Sequence, residues 1–314
     1  MNTTLPKISY NGNELTDDSI NSFLLSNRKE NDDNNKIREN VIGAIINDKI
    51  PLEYYEYYPK WVSLKESIDN YIEILVKTSN SDISIETIKC IHRGGRMYHY
   101  DFNIIVNETI TFNIELKFNS SNMNDIPQFV SPMKPSQYLN NNYEEYYYDG
   151  YLSKLASFGK LELPDRKEYL TTIHSPEPLC IRDYQEKYYR GCKSSSKYSC
   201  IDEDIKFYQY CKDISKESIE KFIEETELDI DKLSNYLLET QKNKVYMLFK
   251  NNIFNYETVD LDDYIITDYI KDSTKSRYIA KTKSNIKMSI LLRWKNGNGI
   301  SYPAFQIKTL NTKK

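Results

Sequence analysis

The sequence predicts an α+β protein: helices first, then a β-hairpin region, then a helical elaboration and strands toward the C-terminus. Three observations indicate this class. Residues 100–118 alternate Val, Ile, Phe and Thr with polar residues, which is typical of half-buried strands. Residues 61–77 place apolar side chains at helical spacing, and strand-like runs return after residue 243. The 39% hydrophobic content, with 28 Tyr and 11 Phe, is enough for a buried core.

The N-terminal part is predicted to be helical after a polar start. The run Asn31–Asn35 predicts a loop, and a helix is expected over 36–48. A second helix is expected over 61–77, with Glu66 and Glu73 on its polar side. Its apolar stripe consists of Trp61, Leu64, Ile68, Tyr71, Ile72 and Leu75.

Three strands are expected next. Residues 83–91 form a strand-like run, and the glycines within 92–96 predict a turn. Two further strands are expected over 98–106 and 110–118, with 107–109 as the hairpin loop.

The register of this hairpin follows from its loop. Residues that pair in an antiparallel ladder point to the same side of the sheet, and a three-residue loop pairs Val106 with Ile110. The same register places Asp101 directly opposite Glu115, with Lys117 two residues along on the same face. Paired Cβ atoms lie about 5 Å apart, so the two carboxylates would destabilise the sheet unless a cation lies between them. Hard divalent cations are the usual partners of such oxygens.

The C-terminal half is predicted to combine helices and strands. Residues 165–240 are mostly helical in pattern, and four strand-like runs follow: KVYMLFK, RYIAKTK, MSILLRW and SYPAFQIKTL. The last two runs flank an Asn-Gly segment, 295–299, which strongly favours a hairpin. The expected division is residues 1–160 for the N-terminal helices and the core, and 161–314 for the helical region and basic strands, packed on the core as one body.

Composition excludes several classes of protein. No run approaches the roughly 20 apolar residues of a membrane span, and the N-terminus lacks the apolar segment of a signal peptide, so an intracellular protein without a membrane partner is expected. Neither a phosphate-binding nor a dinucleotide-binding glycine pattern occurs. Zinc stays open because four cysteines follow His174, although their spacing lacks the usual close pairs. These cysteines are Cys180, Cys192, Cys200 and Cys211.

The set Asp101, Glu115, Leu116 and Lys117 resembles the active site of the PD-(D/E)xK nuclease superfamily, which includes most type II restriction enzymes. The pattern is D-x13-E-x-K, and Glu115–Lys117 is the only Glu-x-Lys in the chain. The resemblance implies a restriction-endonuclease-like core, a mixed β-sheet flanked by helices. It also implies one or two Mg²⁺ ions held by Asp101, Glu115 and the carbonyl of Leu116. Lys117 would orient or activate the attacking water and stabilise charge on phosphorus.

The chain departs from this family pattern at two points. Tyr100 stands where the family name has Pro, and the additional upstream acid is not fixed by the sequence. Glu66, Glu73 and Glu86 are the three candidates for that acid.

Basic residues suggest where DNA would bind. Arg93 and Arg96 flank the glycine turn, and Arg293 and Lys295 border the Asn-Gly hairpin. From Lys271 to the end there are eleven Lys or Arg residues and a single acid. The expected function is a Mg²⁺-dependent, restriction-type endonuclease acting on double-stranded DNA, with a homodimer left open. The alternative is a catalytically inactive nucleic-acid-binding or structural protein with a nuclease-like fold.

Overall fold

The computed structural model describes residues 5–24, 31–79, 83–93, 98–123, 129–131, 138–172, 192–194, 197–198, 201–294 and 303–310. It confirms the α+β class. The strands are β1 (Ile8–Tyr10), β2 (Asn13–Leu15), β3 (Ile88–His92), β4 (Phe102–Val106), β5 (Ile110–Phe118), β6 (Phe129–Ser131), β7 (Cys192–Ser194), β8 (Lys197–Tyr198), β9 (Lys244–Lys250), β10 (Ile253–Thr258), β11 (Ile266–Asp272), β12 (Arg277–Thr282), β13 (Lys287–Trp294) and β14 (Pro303–Leu310). The α-helices are α1 (Asn31–Ile46), α2 (Leu52–Tyr57), α3 (Pro59–Ser79), α4 (Tyr143–Tyr147), α5 (Ser153–Gly159), α6 (Arg166–Thr172), α7 (Asp202–Glu225) and α8 (Ile230–Gln241).

The chain divides into two compact units. The first unit comprises Met1–Asp125 and Thr240–Val259, and the second comprises Ile126–Glu239 and Asp260–Lys314. This division differs from the predicted boundary at residue 160. The strands β9 and β10, which were expected among the C-terminal strands, belong to the unit that contains the hairpin.

The first unit is built on a mixed sheet with the strand order β10-β9-β5-β4-β3. Neighbouring strands are antiparallel except β5 and β9, which run parallel. The predicted hairpin register is confirmed, since Val106 pairs with Ile110. The predicted start of the first hairpin strand at residue 98 is wrong, because β4 begins at Phe102. Asp101 lies just before β4, and its backbone N–H still donates to the carbonyl of Ile114 at 2.9 Å.

One face of this sheet is covered by helices. Trp61, Ile68 and Tyr71 on α3 are buried in the same core as Phe102 and Ile114 of the hairpin. The predicted apolar stripe of α3 is buried in full, as its helical spacing requires. With this face of β4 and β5 committed to the core, the alternate residues of both strands point to the opposite face.

Helix α1 begins earlier than the sequence predicts. The run Asn31–Asn35, expected to be a loop, forms the first turns of the helix. Arg38 explains part of this, because its Nη1 donates to Asn35 Oδ1 at 2.7 Å and its Nε donates to the carbonyl of Ser22 at 2.8 Å. Acidic and amide residues are also favourable near a helix N-terminus, where the backbone N–H groups lack partners.

The second unit is built on an antiparallel sheet with the order β11-β12-β13-β14-β6. Helix α7 packs against β11 and β13. The residues between β13 and β14 lie outside the described part, but the two strands pair as a hairpin would, with Trp294 opposite Pro303. The buried face of the sheet carries Tyr278, Ala280, Met288, Ile290 and Ile307.

None of the helices in the described part of the chain combines the length and the apolar character that a membrane crossing requires.

Candidate active site

The candidate site lies on the face of the mixed sheet opposite the helix-covered core. Residues two apart on a strand share a face, so Asn103 on β4, Asn113 and Glu115 on β5, and Lys244 on β9 point to one side. Asn113 pairs with Asn103 on one flank and with Lys244 on the other. We call this surface the polar face. It consists of Arg93, Asp101, Asn103, Asn113, Glu115, Lys117 and Lys244.

Glu115 lies at the centre of the polar face, between two lysines. Lys117 Nζ donates to Glu115 Oε1, and Lys244 Nζ lies 3.5 Å from Glu115 Oε2. The Glu115 side chain is 12% exposed and that of Lys244 is 3% exposed, so this cluster is largely removed from water. Burial alone would raise the pKa of Glu115, but the charges of Lys117 and Lys244 outweigh it and hold the pKa below its usual value.

Asp101 lies beside this cluster with a different protonation preference. Its Oδ2 accepts a hydrogen bond from the backbone N–H of Leu116 at 2.8 Å, which fixes the carboxyl against β5. Burial and then the negative charge of Glu115 raise its pKa to about 8, with Lys117 opposing the shift. Asp101 therefore retains its proton at neutral pH unless a further cation reaches the site.

The three predicted side chains meet as expected from the register. Burial lowers the pKa of Lys117, but Glu115 and then Asp101 reverse this effect and leave the pKa above its usual value. The pKa values of Asp101 and Lys117 thus each respond to the charges of the other two side chains, and the pKa of Glu115 responds to the charge of Lys117.

Glu39 on α1 is a third acid near the site, and sequence reasoning missed it. Burial and then the charge of Glu115 raise its pKa to about 7, and Glu39 in turn raises the pKa of Asp101. One feature of the sequence indicates its position: Glu39 lies three and seven residues before Ile42 and Ile46, which places it on the apolar side of the helix.

The three acids that the sequence leaves open as the additional upstream acid are all exposed, unlike the largely buried cluster around Glu115. Glu66 and Glu73 are exposed on α3, where Glu73 forms an ion pair with Lys77. Glu86 is exposed, and its backbone N–H donates to Asn107 in the hairpin turn. That turn lies at the opposite end of β4 from Asp101.

Arg93 belongs to a polar ladder that crosses the same face. Its Nε donates to Asn103 Oδ1, and Asn103 Nδ2 donates to Asn113 Oδ1 at 2.8 Å. Its backbone N–H donates to the carbonyl of Asp101 at 2.8 Å, which places Arg93, directly after β3, beside that acid. The guanidinium carbon lies 5.3 Å from the centre of the Tyr98 ring.

The other predicted DNA contacts are Arg96, Arg293 and Lys295. Arg96 and Lys295 lie outside the described residues. Arg293 is exposed on β13 in the second unit. Of the predicted zinc ligands, Cys211 is a buried free thiol, and the side chains of the others, with His174, lie outside the described residues.

The donor set fits a Mg²⁺ ion held by two carboxylates. Among the described residues, no three His, Cys, Asp or Glu side chains form a group that could hold a metal ion. Mg²⁺ does not need such a cage, because it keeps several waters and usually takes one or two carboxylates from the protein. Asp101 and Glu115 would supply these two groups. The pKa of Asp101 is raised first by burial and then by the charge of Glu115, so the two acids are close enough to interact.

Comparison with protein-family models, curated proteins and solved structures finds no match to this chain. Its function has to be inferred from the geometry and the charges of the polar face.

Proposed function

We propose that the protein is a Mg²⁺-dependent endodeoxyribonuclease of the PD-(D/E)xK type, which hydrolyses phosphodiester bonds in double-stranded DNA. The observation that carries this proposal is the meeting of Asp101, Glu115 and Lys117 on one face of a mixed sheet. A mixed sheet flanked by helices is also the core that the resemblance implies.

The chemistry assigns a task to each side chain. Asp101 and Glu115, with the carbonyl of Leu116 as the resemblance implies, would hold Mg²⁺, which supplies a Lewis acid and lowers the pKa of bound water. The hydrogen bond from the Leu116 N–H holds the Asp101 carboxyl in place for this role. Lys117 donates to Glu115 in this structure, so its ammonium would lie within reach of a phosphate bound through Mg²⁺ at this site. There its ammonium would stabilise the negative charge that develops on phosphorus.

Two further residues extend this assignment. Glu39, with a pKa of about 7, is suited to accept a proton from water at neutral pH, because a general base works best when its pKa lies near the operating pH. Arg93 is a third cation on the polar face, fixed by Asn103, and is suited to bind a neighbouring phosphate.

A catalytically inactive DNA-binding protein is the second candidate, and the energetics of the polar face favour the enzyme. Burying ionised groups costs stability, and apolar residues of similar volume are often more stabilising. A protein that only binds DNA gains nothing from keeping Asp101 and Glu115 side by side in a partly buried site. A hydrolase needs both.

Cleavage assays with one matched pair of variants test the proposal. Lys117→Met removes the proposed catalytic cation while Glu115 keeps Lys244 as a partner, so the fold is expected to survive. Lys65→Met removes an exposed lysine paired with Asp69 on α3 and serves as the control. With plasmid DNA and Mg²⁺, wild type and control should cut and be inhibited by EDTA, and Lys117→Met should cut roughly 10²- to 10³-fold more slowly. Cleavage by Lys117→Met at the wild-type rate would refute the assignment.

An intracellular location is part of the same proposal. Cys90 and Cys211, the free thiols of the described residues, are both buried, which agrees with a reducing compartment.

A further inference from the structure

The cations of the C-terminal strands fall into two classes. One class is neutralised within the second unit by nearby acids. The paired cations and their acids are Lys271 with Glu227, Lys275 and Arg277 with Asp272, and Lys283 with Asp262. Part of the positive charge of the C-terminal strands is therefore engaged in ordinary surface ion pairs.

The second class lies on the solvent-facing side of the antiparallel sheet. Lys281, Lys287 and Arg293 are exposed and form no ion pair with any acid in the described part of the chain. Lys281 on β12 pairs directly with Lys287 on β13, so two like charges oppose each other across the ladder. Asp268 pairs with Lys281 on the other flank, but no ion pair joins them. Like charges in this position destabilise a sheet, and a ligand with negative charge would offset that cost.

Arg293 places a third cation on the same face of β13. It lies six residues along the strand from Lys287, or about 20 Å at roughly 3.4 Å per residue. Lys281 and Lys287 lie on neighbouring strands, which are about 4.8 Å apart. We call these three residues the basic face.

Duplex DNA is the partner that this charge pattern fits. Its backbone carries one negative charge per about 1.7 Å of axis, so a length of about 20 Å, near six base pairs, offers enough phosphates for all three cations. Ile279 and Leu291, which lie between the cations on the same face, are half-buried, so the exposed head groups of the three cations are in position to contact phosphates.

We infer that the basic face is a docking surface for the phosphate backbone of duplex DNA. This inference rests on the proposed function for its choice of partner and deepens it, because it assigns ground-state binding to the second unit. Phosphate contacts hold a duplex in position without reading its sequence. The basic face is therefore expected to bind all duplex sequences alike.

A charge-matched pair of triple variants tests the inference in EDTA, where cleavage cannot interfere. The test variant is Lys281→Gln with Lys287→Gln and Arg293→Gln. The control is Lys65→Gln with Lys77→Gln and Lys221→Gln, which removes the same charge from lysines that each pair with an acid one helical turn away. Fluorescence anisotropy with a labelled duplex gives the affinity at a series of salt concentrations. The log–log salt slope of the test variant should be shallower by about 2.7, at roughly 0.9 per lost phosphate contact, and the control should match wild type.

Three outcomes would overturn the inference. The test variant could bind with unchanged affinity and slope, or both triple variants could lose the same affinity, which would indicate net charge alone. The test variant could also keep its DNA affinity and lose binding to vesicles of anionic phospholipid, which would indicate a membrane surface. Thermal unfolding checks folding, and the midpoint of the test variant should not fall, because opposed like charges have been removed.

The binding result is independent of the cleavage result. A shallower salt slope in a protein that never cuts DNA would support the basic face and refute the nuclease. Cleavage that depends on Lys117, with an unchanged slope in the test variant, would refute the basic face alone.

Discussion

Asp101→Asn should remove the part of the pH dependence of stability that Asp101 contributes. The pKa of Asp101 in the folded state is raised to about 8 from 3.8, mainly by burial. A raised pKa means that the unfolded chain loses this proton first as pH rises. The contribution of Asp101 to the free energy of unfolding is therefore fully present below the unfolded pKa. It is lost progressively as the pH rises to the folded pKa. Asparagine has a similar shape, can still accept from the Leu116 N–H, and has no proton to lose.

The size of the effect follows from linkage. One proton corresponds to about 1.4 kcal/mol per pH unit within the window between the two pKa values. From about pH 5 to about pH 7, the free energy of unfolding of Asp101→Asn should gain up to about 2.7 kcal/mol relative to wild type. Other titrating groups change both proteins alike, because Asp101 is neutral in this range and Asn is neutral too.

Urea unfolding at several pH values in EDTA measures this difference. The chain has two Trp residues, so a Trp294→Phe background leaves Trp61, buried in the core of the first unit, as the fluorescent reporter. Glu66→Gln, at an exposed position on α3, is the control and should show no growth of the difference with pH. A difference between Asp101→Asn and wild type that stays constant with pH would refute the reasoning, since Asp101 would then ionise as it does in the unfolded chain.

The remaining predictions concern the two residues that the sequence did not reveal. Glu39→Gln should weaken Mg²⁺ binding by roughly tenfold, because neighbours of metal ligands commonly have effects of this size, and calorimetric titration that shows unchanged affinity would exclude Glu39 from the site. Lys244→Met should lower the free energy of unfolding in EDTA by about 1.5 to 3 kcal/mol, the usual cost of losing a contact to a charged group, since Glu115 would keep Lys117 alone. Mg²⁺ should then stabilise Lys244→Met more than it stabilises wild type, and equal stabilisation in thermal melts would show that Lys244 does not balance the charge of Glu115.

The hairpin could be predicted because its determinants are local. Side chains on a strand alternate between two faces, and the apolar residues of β4 and β5 belong to one buried core, so a register shifted by one residue would expose them. The loop length then fixes the partners, and the juxtaposition of Asp101 with Glu115 follows. The register in the structure is the predicted one.

Glu39 and Lys244 could not be predicted in this way because they come from distant parts of the chain. The run containing Lys244 was recognised as a strand, but pairing between β5 and β9 is parallel and spans more than a hundred residues. A parallel pair has no connecting turn whose sequence could identify its partner. The division of the chain at residue 160 was based on the same local information, so it assigned β9 to the C-terminal strands.

The charges of the polar face suggest an order of binding. At neutral pH Asp101 keeps its proton and Glu39, with a pKa of about 7, is about half ionised. The side chain of Glu115 is then the main fixed negative charge, and it lies between Lys117 and Lys244. A phosphate therefore approaches a site whose positive charges at least equal its negative charges. A cation, in contrast, can bind both carboxylates only after Asp101 has lost its proton. Once a phosphate accepts contacts from Lys117, the oxygens of Glu115 lose part of their neutralisation, and a divalent cation becomes the favourable replacement. Each ligand thus improves the site for the other, a reciprocity that linkage requires of any two coupled ligands.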